Sequence, residues 1–166
     1  MTRFDSLPDS SRVWVYGADR PLDQAATETM LAETDRFLGQ WQAHGHDLLS
    51  ARDWSEGRFL TIAVDQEREG ASGCSIDVLF RALKALEPKL GAKVVTSGLV
   101  YFRDREGKIQ AVTRDEFAEL GARGEVDGKT EVFDLSVTTL AEWRARFRSR
   151  AEDSWHASLI PERARA

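Results

Sequence analysis

The segment Ser72-Gly73-Cys74-Ser75-Ile76-Asp77 carries the chain's single cysteine at the predicted start of a helix. Unpaired N–H groups and the positive end of a helix dipole gather at such a position, which favours a bound anion or a thiolate. Three readings of Cys74 stay open: a nucleophilic or redox thiol, a residue lining a ligand site, and a small buried residue closing a helix–sheet junction. The last is the commonest fate of a free cysteine. Asp77, one turn into the same helix, competes for the dipole and repels a thiolate.

Ser72, Gly73 and Ser75 offer hydroxyls and amides for a phosphate or carboxylate, with Asp77 beside them and Arg20 at a predicted strand end. Plain capping of the helix by Ser72 or Ser75 is the competing and more economical reading. His44 and His156 are the candidate partners of a catalytic Cys74, with Ser75 and backbone amides as oxyanion donors. His44 and His46 alternate, so on an extended segment they would share a face and, with Cys74 or His156, offer three zinc ligands. That signal is weak. No second cysteine and no His-Glu-x-x-His accompanies it, so no metal and no cofactor is expected.

These residues must be positioned by a recognisable series of elements. Arg12 to Tyr16 is short, β-branched and aromatic, and stops at Gly17-Ala18-Asp19-Arg20-Pro21, which reads as a strand running into a turn. From an N-cap at Asp23, Met30, Leu31, Phe37, Leu38 and Trp41 keep helical spacing until Gly45. Ser55-Glu56-Gly57 reads as a hairpin turn, and the almost unbroken apolar run from Phe59 to Val64 as a buried central strand. Cys74 then opens a helix with apolar positions Ile76, Leu79, Phe80, Leu83, Leu86 and Leu90. Strands follow at 93–102 and 108–112.

That order, β-α-β-β-α-β, predicts an α+β fold: a ferredoxin-like split β-α-β sheet with an additional strand and a C-terminal helical elaboration. A single domain spans 1–166, with its core at about 11–112 and the elaboration at about 113–160. Thr113 to Glu116 and Thr139 to Glu142 have capping-box spacing, each ahead of a short helix, and Glu131 to Asp134 reads as a brief strand. An exposed sheet face in this architecture points to a homodimer.

Composition narrows the classes. A chain of 166 residues can remove roughly two thirds of its unfolded surface from water, and 42% hydrophobic against 31% charged residues suits a folded domain rather than a tail. A net charge of −5 argues against nucleic acid, whose binders need a dense basic face. The late basic cluster Arg144, Arg146, Arg148, Arg150, Arg163 and Arg165 reads first as a solvated helix face that also complements a helix C-terminus, with binding of phosphate or an acidic partner as the alternative. No apolar run reaches the ~18 residues of a membrane helix. A lone cysteine and an opening without an apolar leader suggest a reducing, cytoplasmic setting.

Taken together, Ser11-Arg12-Val13-Trp14-Val15-Tyr16, Ala18-Asp19-Arg20, Trp41 with Ala43-His44-Gly45, Arg58-Phe59, Ala63-Val64-Asp65, Ser72 to Asp77 and Ser154-Trp155-His156 resemble a small family of uncharacterised bacterial proteins often labelled "ABC transporter ATPase". The resemblance spans nearly the whole chain and brings no catalytic residue with it. The label itself finds no support here, because no Gly-x-x-x-x-Gly-Lys-Ser/Thr loop is present to wrap phosphates. Two expectations follow: a module binding a small anionic ligand or a protein partner at Ser72–Asp77, or a small Cys74 enzyme assisted by His44 or His156.

Overall fold

Phe59–Val64 (β5) is buried at every one of its six positions. A strand with no polar face must be covered on both sides, and the first unit of the chain is built to do that. The computed structural model describes residues 3–67 and 69–162, which form two compact units, Met1–Thr96 with Ser136–Trp143 and Ser97–Leu135 with Arg144–Ala166.

In the first unit β5 lies between Arg12–Gly17 (β1) and Ser50–Ser55 (β4), antiparallel to both. Glu56 (φ 60°) and Gly57 (φ 65°) turn β4 into β5, and Arg58 N–H closes the turn on Ser55 O at 3.1 Å. Left-handed residues at both central positions match the twist of the paired strands.

One face of this sheet, carrying Leu60, Ile62 and Val64, packs under Gln24–Leu38 (α1) and Gly73–Leu90 (α2). Helix α1 starts where Asp23 accepts Ala26 N–H at 2.7 Å and buries Ala26, Met30, Thr34 and Leu38, one per turn. Helix α2 buries Leu79, Leu83, Leu86 and Leu90. Phe80 lies 40% exposed instead of in the core, with the Lys84 ammonium 5.9 Å above its ring.

The other face, carrying Val13, Ala51 and Ala63, is covered by Phe4, Leu7, Val137, Leu140 and Trp143. Trp143 stands edge-on to Phe4 with centroids 5.0 Å apart and donates its indole N–H to Thr61 Oγ1 at 3.0 Å. The same segment occupies the outer edge of β1: Val13 N–H donates to Thr138 O and Leu140 N–H to Ser11 O, both at 2.9 Å.

The second unit holds Leu99–Arg103 (β6), Ile109–Thr113 (β7), Glu131–Phe133 (β8) and Arg148–Arg150 (β9) in the antiparallel order β7-β6-β8-β9. Arg114–Ala122 (α3) begins with a complete capping box between Thr113 and Glu116. Its Phe117 packs with Val100, Phe102, Val132 and Ile160. Leu140–Arg146 (α4) is capped by Thr139, whose Oγ1 accepts Glu142 N–H at 3.1 Å.

Three expectations change. The strand expected at 93–102 to complete a ferredoxin-like sheet forms instead at Leu99–Arg103 and pairs with β7 and β8, so residues 97–112 belong to the second unit and the first sheet has three strands. The first helix ends at Leu38, and Trp41 precedes a two-residue hairpin, Gln42–Ala43 (β2) with His46–Asp47 (β3). Arg148 and Arg150 lie on a strand rather than a helix face, while Arg163 and Arg165 fall outside the described residues. Among the described residues no helix is long and apolar enough to cross a membrane.

Neighbouring positions on α2 separate core from surface. Leu79→Ala, at 1% exposure, should lower unfolding free energy by about 2–5 kcal/mol. Val78→Ala, at 43%, should change it by less than about 0.5 kcal/mol in the same urea titrations.

Candidate functional site

The first turn of α2 is fixed by its own serines. Ser72 Oγ accepts Ser75 N–H at 3.1 Å, Ser75 Oγ donates to Ser72 O at 2.8 Å, and Ile76 N–H reaches Ser72 O at 3.0 Å. Both hydroxyls are therefore engaged in the cap. The N–H groups of Gly73 and Cys74 meet no acceptor among the described residues and face the positive end of the dipole.

A second element locks this turn in place. The buried Trp41 donates its indole N–H to Ser75 O at 2.9 Å, and its ring meets Phe37 at 5.6 Å and Trp14 at 6.2 Å. Directly after it, His44 (φ 53°) and Gly45 (φ 78°) reverse the chain between β2 and β3. Two consecutive left-handed residues make this tight turn, and glycine holds the second at no steric cost.

Trp41, Phe37, His44, Ser72, Cys74 and Ser75 all line one groove of about 390 Å³. Cys74 is exposed, which excludes the buried reading of this residue. His44 is exposed too. Spacing alone hides Trp41 as a site residue, because it continues the α1 stripe; the signal for it is an indole, which needs a partner for its N–H, set in the polar run Trp41 to His46.

The remaining candidates are placed elsewhere. Asp77 is exposed and pairs with Arg81 at 3.1 Å, one turn along α2, outside the groove lining. A Cβ on Gly73 would meet nothing within 4 Å, so that glycine is not demanded by a close neighbour. Arg20 is exposed, 3.5 Å from Asp19, and does not line the groove. Asp19 itself clamps the backbone of Lys93, its carboxylate accepting the Lys93 N–H at 3.0 Å and its own backbone N–H donating to the Lys93 carbonyl at 2.9 Å.

His156 belongs to the second unit, fully buried, with Ser154 Oγ 2.7 Å from its Nδ1. Burial pulls its pKa down to about 4; the Asp134 carboxylate opposes that fall and Arg114 adds to it. The ring is neutral and enclosed, with Ser154 at Nδ1 and the Trp155 indole stacked on it, and it lies in a different unit from Cys74. Among the described residues, no group of three His, Cys, Asp or Glu side chains could hold a metal ion.

Two measurements check this arrangement. Cys74 should titrate stoichiometrically with a thiol-exchange reagent in the native protein, without denaturant. Ser72→Ala, which removes the acceptor for Ser75 N–H, should cost about 1 kcal/mol of stability.

Comparison of the chain with protein-family models, with curated proteins and with solved structures returns no match.

Proposed function

We propose that the first unit is a binding module that takes a small anionic group, free or carried by a partner protein, at the start of α2. The observation that carries this reading is the groove that brings Cys74, Ser72 and His44 to one mouth under the rings of Trp41 and Phe37. Two amides that meet no acceptor among the described residues, together with the helix dipole, favour a negative charge there. The aromatic walls suit an apolar body attached to it.

Chemistry also supports binding over turnover. A nucleophile needs a base oriented by a third group, and His44 sits at a left-handed turn position, exposed, with no hydrogen bond to a neighbour among the described residues. The second reading, a Cys74 enzyme assisted by His44, rests on these two side chains lining the same groove. The family resemblance adds no catalytic residue, and without a phosphate-wrapping loop ATP hydrolysis has no support. We read the order β1-β5-β4 beneath α1 and α2 as a ferredoxin-like sheet without its fourth strand, and the single thiol as that of a protein in a reducing compartment such as the cytoplasm.

Amide NMR titration with inorganic phosphate, and separately with benzoate as an aromatic carboxylate, tests the proposal. Shifts should saturate at Gly73, Cys74 and His44. Cys74→Asp, which places a fixed negative charge at the helix start, should weaken binding about tenfold or more, while Cys74→Ser should leave it within about twofold. Absence of saturable shifts refutes the anion site; alkylation of Cys74 at pH 6 far faster than a free thiol, abolished in His44→Ala, favours the enzyme reading.

A further inference from the structure

Residues Ser154 to Pro161 cross the second unit over α3 and are held by two buried side chains, His156 at 0% and Ile160 at 1% exposure. The closest approach is at Gly121 of α3, where a Cβ would stand 3.2 Å from Pro161 Cδ and 3.6 Å from Ile160 Cα. Ile160 belongs in such a site. His156 brings an ionisable ring into it.

The surroundings suit the neutral ring and oppose the charged one. Ser154 Oγ binds Nδ1 at 2.7 Å, while the buried Nε2 has no hydrogen-bond partner among the described residues. The Trp155 indole stacks on the imidazole with centroids 3.9 Å apart, and Phe117 of α3 stands edge-on at 6.1 Å. The Arg114 guanidinium caps the stack, 4.9 Å over the Trp155 ring. Two charged groups act on the imidazole: Arg114, from α3, disfavours its protonation, and Asp134, which follows β8, favours it. The Asp134 carboxylate is itself bound by Arg146 of α4. An imidazolium here would lose its hydration, carry an Nε2–H with no acceptor and face a guanidinium.

We propose that residues 154–161 form an acid-opened strap over α3, latched by His156, whose release uncovers the apolar face around Phe117 and Leu120. Opening needs no new partner, because the proton is taken up by the released ring in water. The closed ring titrates at about 4 and a free one at 6.5. Between those values the open form binds a proton that the closed form does not. The closed-to-open ratio is therefore constant above about pH 6.5 and falls as pH drops toward 4, by about 300-fold in all.

Hydrogen exchange and histidine NMR on the full chain from pH 7.5 to 4 test this. The amides of Ala157 and Ile160, which close the strap's own turns, should lose at least about tenfold in protection across this range, after correction for intrinsic rates, while β5 keeps its own. In His156→Gln that pH dependence should vanish. Should this variant fail to fold, the wild-type ring decides: its resonance must titrate well below 6.5, in step with strap exchange. Equal loss in strap and β5, unchanged pH dependence in His156→Gln, or a His156 midpoint near 6.5 with the strap still protected would overturn the proposal.

Discussion

The central strand β5, buried at all six of its positions, with Thr61 its one polar side chain, is the constraint from which the first unit follows. Exposure of either face would leave several large apolar side chains in water, at roughly 25 cal/mol per Å². One face is satisfied by α1 and α2, which bring Leu79, Leu83 and Met30 onto Leu60, Ile62 and Val64. The other is satisfied by Phe4 and Leu7 from the chain start and by Val137, Leu140 and Trp143 from far along the chain. The candidate site is a by-product of this closure. Once α2 must pack on β5, its first turn has to be tied down, and Trp41 does that through Ser75.

Polar bookkeeping then decides what the site can offer. Buried indole N–H and carbonyl groups find each other, the two serine hydroxyls close the cap, and Arg52 holds Asp35 through two hydrogen bonds at 2.8 and 2.9 Å, pinning α1 to β4. What is left at the groove mouth is a thiol, an imidazole and two amides. The second unit handles its one histidine in the opposite way, enclosing it among aromatic rings.

Much of this was legible in residues whose local chemistry admits a single answer. Asp23, Thr113 and Thr139 cap the helices that their spacing announces, and the run Phe59 to Val64 is the doubly covered strand it reads as. The rest depended on facts that local pattern does not carry. Val100 to Phe102 have the composition of a strand for any sheet, and nothing local says that β6 pairs with β7 and β8 rather than with β1. The edge of β1 goes instead to Thr138, more than a hundred residues away in sequence. Trp41 keeps helical spacing although the helix stops at Leu38, because what fixes it is a hydrogen bond to a residue 34 positions later. Exposure of Cys74 turns on which face of α2 meets β5, and that face is set by Leu79 and Leu83.

The exposed thiol and the engaged hydroxyls pull the chemistry in one direction. A catalytic cysteine gains from a donor set and a base held within a few tenths of an ångström, since misplacement of reacting groups removes most of the advantage of proximity. Here Ser75, the hydroxyl offered as an oxyanion donor, spends its hydrogen bond on the helix cap, and His44 is placed by a turn rather than by a partner. Anion binding asks for less. It needs amides with fixed direction, and these are the best fixed groups of the site, because Ser72, Ser75 and Trp41 immobilise the turn that carries them. The same bonds that rigidify the α2 start therefore strengthen its case as a receptor for charge and weaken it as a centre for covalent turnover.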